Sequence, residues 1–273
     1  MKAEAGSGTA TRAAELLDRV RERRPLIHHI TNFVTAGEVA NVTLALGASP
    51  IMARALQEVE DVATQAAAVS LNVGTLADDG ATAMLLAGAR ANDRRIPVVL
   101  DPVGAGATAF RTREVTRLLR EVRCACVRGN AGEIAALAGR QGGVRGVDVA
   151  GPVDDVASLA KRLAQRTHAV IAATGAEDVV TDGATAVRIA NGHPLLARIT
   201  GSGCMATAAI AVAAAVDADP LAAAVAALLW FEIAAEEAAA EAAGPGTFRS
   251  ALIDAVAALD GRTIEERARV VLQ

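Results

Sequence analysis

Short apolar runs, each closed by a polar, glycine-bearing turn and followed by a stretch of helical spacing, recur along this chain. Residues 11–24 put Leu16, Leu17 and Val20 on one side of a helix that Pro25 ends. Leu26–Ile30 reads as a strand carrying His28 and His29, and 31–35 as a polar loop opening a helix to about residue 46. A turn with a brief extended segment follows at 47–53, then a helix over 58–69, a strand over 70–74 and a helix over 79–92. The run at 97–101 is the clearest strand, apolar as expected where a sheet is covered on both faces. A helix near 112–121 precedes a buried strand at 124–127, and a helix at 153–166 precedes another at 169–173. Strands at 178–182 and 185–189 flank Gly183 as an antiparallel hairpin. From Gly203 onward the pattern is helical apart from 217–220 and 244–247.

At least five repeats of strand, polar turn and helix predict an α/β fold, with a mostly parallel central sheet and helices on both faces. With no composition shift marking a linker, 11–273 reads as a single domain behind a flexible segment at 1–10. In such sheets the site lies beyond the carboxyl ends of the strands. Asn32, Met52, Asp101, Arg128, Glu133, Thr174 and a glycine turn at 201–203 all fall there.

That turn, Thr200-Gly201-Ser202-Gly203-Cys204, opens a long alanine-rich helical run. Its glycines let the backbone bend tightly, and the helix behind adds its positive end, which together make a cradle for an anion such as a phosphate. Cys204 stands at the first helical turn, where a thiolate is favoured.

Composition removes several function classes. The 273 residues carry a net charge of −4 and only 2% aromatic residues, against both a basic nucleic-acid footprint and the stacking platforms of single-strand binders. Three cysteines form no disulfide framework; Cys124 and Cys126 flank one alanine on an expected strand, and a reduced, cytoplasmic setting fits them. Residues 1–10 lack the apolar core of a signal peptide, and the most apolar runs, 205–216 and 221–231, are each too short to span a bilayer.

Gly104-Ala105-Gly106 has the spacing of a dinucleotide loop, but Asp101-Pro102 intervenes after the strand and arginines follow. No GxxxxGK[ST] occurs. Asp101 and Glu133 can serve as turn and helix caps; in a nucleotide enzyme they are also the natural carboxylates for Mg²⁺, directly or through water. Arg128 is a candidate phosphate partner. His28 and His29, adjacent on a strand, face opposite ways and do not share one metal ion. Glu236, Glu237 and Glu241 read as the solvated face of a helix.

Six segments then occur in one order: His29-Ile30-Thr31-Asn32, Gly47-Ala48-Ser49-Pro50-Ile51-Met52-Ala53, Leu71-Asn72-Val73-Gly74-Thr75-Leu76, Asp101-Pro102-Val103-Gly104-Ala105-Gly106-Ala107-Thr108, Arg128-Gly129-Asn130-Ala131-Gly132-Glu133-Ile134 and Thr200-Gly201-Ser202-Gly203-Cys204. Over about 12–260 the chain resembles the hydroxyethylthiazole kinase family of the ribokinase-like superfamily. The resemblance implies a ribokinase-like three-layer sandwich that phosphorylates the alcohol of 4-methyl-5-(2-hydroxyethyl)thiazole with MgATP in thiamine salvage. It also implies a homotrimer with the thiazole pocket at subunit interfaces. Met52 and Gly201 would contact the thiazole, with Asn32 in the same pocket, and Arg128 and Thr174 would contact ATP. Asp101 and Glu133 would match the family's Mg²⁺ and phosphate acids, and Cys204 the position where related kinases place a catalytic aspartate. Gly37 departs from the asparagine, and Ser202 from the threonine or alanine, common in the family.

On this reading the N–H groups of Gly201, Ser202, Gly203 and Cys204 form an anion hole for the transferring phosphoryl group. Cys204 acts as a general base, its thiol lowered by the helix N-terminus and partly ionised at neutral pH. The competing readings are a ribokinase-like kinase of another small alcohol, a lyase repairing hydrated nicotinamide nucleotides, and a non-catalytic nucleotide-binding module.

Overall fold

The computed structural model describes residues 2–76, 80–139 and 153–272. Among these, nine strands pair into one sheet: β1 (Leu26–Ile30), β2 (Ser49–Ile51), β3 (Ala68–Asn72), β4 (Val98–Asp101), β5 (Cys126–Asn130), β6 (Val170–Thr174), β7 (Asp178–Thr181), β8 (Ala186–Ile189) and β9 (Val270–Leu272). The helices are α1 (Lys2–Arg23), α2 (Ala36–Ala45), α3 (Val59–Gln65), α4 (Gly80–Asp93), α5 (Ala109–Glu121) and α6 (Ala131–Leu137). They continue with α7 (Val153–Thr167), α8 (Ser202–Ala214), α9 (Pro220–Glu241), α10 (Pro245–Ala258) and α11 (Gly261–Arg267).

The strand order is β2-β1-β3-β4-β5-β6-β7-β8-β9. The first six positions are parallel, and β7, β8 and β9 close the far side antiparallel. Two apolar cores line the sheet. Leu16, Val39, Met205, Trp230 and Phe248 place α1, α2, α8, α9 and α10 on one face; Val59, Met84, Val115, Ile134 and Leu163 place α3 to α7 on the other. β3 and β4 are buried along their whole length, and in β4 this leaves an unbroken apolar run up to Asp101.

From β1 the chain steps one way to β2, then crosses back to place β3 on β1's other side. This reversal opens a crevice at the carboxyl ends of β1 and β3, the usual ligand position in an open α/β sheet. The buried helix α8 runs behind β1, β3, β4 and β5, with its N-terminus at that crevice.

Several expected boundaries move. The helix expected over 58–69 stops at Gln65, and the strand expected from residue 70 starts at Ala68. Alanine and valine there carry no period, and the ladder decides, pairing Ala68 with Ile27 and Val69 with Val98. The strand expected at 124–127 runs instead over Cys126–Asn130, because its pairing with β6 continues to Asn130 and Thr174. Cys124 therefore precedes the strand, and Arg128 lies within it. The first helix begins at Lys2 rather than residue 11, and the expected start at Asp79 lies outside the described residues. A 3₁₀ turn at Pro194–Arg198 and the edge strand β9 were not foreseen.

Trp230, the only tryptophan, is fully buried on α9 and donates its indole N–H to the Ala13 carbonyl of α1 at 2.9 Å. Trp230→Ala should cost about 3–5 kcal/mol of unfolding free energy. Trp230→Phe, which strands the carbonyl, should cost about 1–3 kcal/mol. Urea unfolding followed by circular dichroism measures both, and a loss under about 1 kcal/mol in the alanine variant would contradict this packing.

Candidate functional site

The turn before α8 is built by contacts that glycine alone admits. Gly201 takes φ +89 as the N-cap, and a Cβ there would stand 2.5 Å from the Thr35 methyl. At Gly203 a Cβ would collide with the Arg128 guanidinium. Glycine at 203, inside the first turn of α8, is thus needed for the arginine above it, while the bend itself falls at Gly201. The first N–H groups of α8 have no partner within the helix and point out of its positive end into the crevice.

Asn72, at the end of β3, is the hub beside this turn. Its Oδ1 accepts the Gly74 N–H at 2.9 Å and the Asn32 amide at 3.0 Å, so its Nδ2 faces the other way. That nitrogen donates to Asp101 Oδ2 at 2.9 Å and to Cys204 Sγ at 3.2 Å. Asn32 donates to the same sulfur at 3.4 Å, while its Oδ1 accepts the backbone N–H groups of Val34 and Thr35 and the Thr35 hydroxyl. The Thr207 hydroxyl, one turn along α8 from Cys204, completes the set by donating to Asp101 Oδ2 at 2.9 Å. Asp101 is fully buried, and its Oδ1 finds no partner among the described residues.

Burial pushes the Cys204 thiol up, and the neighbouring Asp101 adds to the rise. This corrects the lowered thiol expected from the helix end: desolvation in a pocket closed by three chain segments outweighs the dipole. Cys204 is a protonated thiol at neutral pH, with its sulfur accepting two amide N–H groups.

On the other side of the turn, Arg128 donates Nη2 to Thr174 Oγ1 at 2.5 Å. Four buried carboxyls surround this guanidinium and feel its charge: Asp101, Glu133, Asp178 and Glu232. Burial raises all four. Glu133 is pushed up to about 7 by burial and then by Asp101, although its oxygens accept the N–H groups of Gly104 at 2.8 Å and Asn130 at 2.9 Å. Asp178 is pushed up to about 7 by burial. Glu232, against Gly192, is raised well above the usual carboxylate range by burial and then by Asp178.

Asn32, Asp101, Arg128, Glu133, Thr174, Gly201, Ser202, Gly203 and Cys204 thus gather at one end of the sheet. Met52 directly follows the edge strand β2, and it, Phe33, Val34, Leu44 and Leu56 are exposed apolar side chains. His28 and His29 are buried; their Nε2 atoms meet the Ala53 carbonyl at 2.7 Å and the Thr43 hydroxyl at 3.1 Å. Burial lowers both, His29 to about 3. Glu236 is not a solvated residue: it accepts from Gly192 N–H and Asn191 and pairs with Arg267 and Arg269. Asn72, Thr35, Thr207, Asp178 and Glu232 were not singled out. Asn72 and Asp178 share one usable signal, a polar residue at the end of an apolar run; Glu232 is a lone acid inside one.

A family model described as "HK: Hydroxyethylthiazole kinase family" matches residues 17–262. The chain is 53% identical over 259 residues to a hydroxyethylthiazole kinase of Chloroflexus aurantiacus, covering 95% of this chain and 96% of that one. A solved hydroxyethylthiazole kinase from Pyrococcus horikoshii superposes with a TM-score of 0.89 at 43% identity, covering 96% and 98% of the two chains. A ribokinase-like superfamily protein of Enterococcus faecalis shares the fold at 12% identity, with a TM-score of 0.62 over 85% of this chain and 86% of the other.

Between the unfolded pKa of 3.8 and about 7, folded Asp178 holds a proton that the unfolded chain has released. The folded state then binds more protons, so stability falls as pH rises through that window. Urea unfolding at pH 5 and pH 7.5 should show this decline, and Asp178→Asn should remove part of it. An unchanged decline in the variant would refute the assignment.

Proposed function

The chain belongs to the hydroxyethylthiazole kinase family, and we propose that it transfers the γ-phosphoryl group of ATP to the hydroxyl of 4-methyl-5-(2-hydroxyethyl)thiazole, as a step of thiamine salvage. The observation that carries this reading at the residue level is the pairing of an anion turn, with Arg128 laid against Gly203, and a thiol one residue further on. Phosphoryl transfer needs positioning and charge neutralisation more than covalent chemistry.

The free N–H groups at the start of α8 hold the phosphoryl oxygens, and Arg128 neutralises charge beside them. Thr174 fixes the guanidinium through its hydroxyl and lies along the nucleotide. Asn32 and Gly201 border the alcohol, and Met52 reaches the thiazole from the β2 edge. Cys204 receives the hydroxyl proton as the thiolate, after its own S–H proton has passed to solvent. Its raised proton affinity suits a base that acts late, since a loose transition state demands little prior deprotonation.

Asp101 and Glu133 fit a hard cation. Asp101 Oδ1 is a buried acceptor without a partner among the described residues, and Asp101 lies close enough to Glu133 to raise its pKa. Among the described residues no group of three or more metal-binding side chains exists, which suits an ion that keeps waters and phosphate oxygens as its remaining ligands. Mg²⁺ would supply neutralisation of phosphate charge.

The assembly is a homotrimer whose pockets lie at subunit interfaces. Supporting this, β2 is an open sheet edge, and Phe33, Val34, Leu44, Met52 and Leu56 are exposed apolar side chains. Three unpaired cysteines suit a reducing cytoplasm. Residues 11–273 act as one kinase domain.

A coupled ADP-release assay with MgATP should show turnover with the hydroxyethylthiazole and little with hydroxymethylpyrimidine, pyridoxine or no acceptor. Cys204→Ala should lower kcat by about 10²–10⁴-fold, the span of a lost general base. Cys204→Asp should stay active. Wild-type kcat in the alanine variant would end the base role, and a monomer in sedimentation at micromolar concentration would end the trimer.

A further inference from the structure

Of the four buried acids around Arg128, Asp178 and Glu232 hold neither the alcohol nor a cation. Asp178 opens β7 and is 3% exposed, yet it belongs neither to the anion turn nor to the Asp101 cluster. Its Oδ1 accepts the Gly175 N–H at 2.9 Å, closing the three-residue step from β6 into β7. Gly175 directly follows Thr174, whose hydroxyl holds Arg128 at 2.5 Å. Asp178 Oδ2 meets no partner among the described residues, and neither does Arg128 Nε.

We propose that Asp178 is a positioning residue for the nucleotide, fixing the Thr174–Gly175 step so that Thr174 holds Arg128 against the anion turn. The inference rests on the reading of Arg128 and Thr174 as nucleotide contacts. The chain of contacts has three links. The carboxyl pins the Gly175 N–H, that amide fixes where β6 ends, and the Thr174 hydroxyl at that end orients the guanidinium lying over Gly203. A solvent-exposed hairpin needs no buried acid to close. Here the acid is carried inward, within electrostatic reach of Arg128, Glu177 and Glu232.

Because Asp178 works through a backbone bond and a hydroxyl, its loss falls on nucleotide affinity rather than on the chemical step. In the full-length enzyme Asp178→Ala should raise KM for ATP by ~10-fold, the scale of one lost buried hydrogen bond, with kcat and KM for the thiazole within about threefold. Asp178→Asn keeps an acceptor for Gly175 and should recover most of the ATP affinity. Should the alanine variant fail to fold, Gly175→Pro, which deletes the donor, carries the test against Gly175→Ala, which keeps it and meets only ordinary contact with the Glu177 carbonyl. An unchanged KM for ATP in Asp178→Ala or Gly175→Pro overturns the proposal, as does a matching loss in both Asp178 variants. Arg128→Ala run alongside separates the two readings: if KM for ATP stays unchanged there, the nucleotide assignment of Arg128 has failed, and with it the basis of the positioning role.

Discussion

A helix start carries N–H groups that its own turns cannot satisfy, and this protein sets such a start, half-buried, in the crevice at the carboxyl ends of its strands. Much of the site answers that constraint. Gly201 bends so that Thr35 can approach, Gly203 stays bare so that Arg128 can lie above it, and Thr207 turns inward to Asp101. The crevice at the β1 and β3 ends supplies the opening through which an anion reaches those donors. Fold and site are therefore one problem: the reversal of strand order makes the gap, and α8 fills its floor.

Charge around the turn is held in tension. Arg128 faces four carboxyls that burial pushes towards protonation. Were all four ionised, one guanidinium would leave a buried excess of negative charge, and the low dielectric would make that costly. Protonation relieves part of the imbalance. The sidedness is informative: Asp101 ends β4 and Glu133 lies in the first turn of α6, while Asp178 and Glu232 come from β7 and α9. One guanidinium therefore joins two acid pairs of separate origin.

The sheet was legible in the sequence where polar residues interrupt apolar runs. Asn32, Asp101 and Thr174 each mark the end of a strand, and all three lie at the same end of the sheet. Legibility failed where composition carried no period. Ala66, Ala67 and Ala68 suit a helix or a strand equally, and only pairing with Ile27 and Val98 settles the boundary. The part played by Asn72 was hidden for a different reason: its partners come from chain segments as far as 132 residues away. The thiol of Cys204 shows the limit most clearly. The helix end that favours ionisation is local and can be read along the chain, whereas the burial and the acid that oppose it exist only after folding.

The alanines of α8 and α9 acquire a meaning beyond filling space. Ala206, Ala208, Ala209, Ala211, Ala213 and Ala214 are buried, and alanine has no rotamer to choose. The helix therefore behaves as a rod whose position is set by methyl groups against neighbouring backbones, with little side-chain motion to absorb an error. Such a rod transmits displacement along its axis. A single added methyl several turns from the crevice becomes a shift of the turn itself, so the tolerances of the chemistry extend into a stretch of sequence that contains nothing reactive.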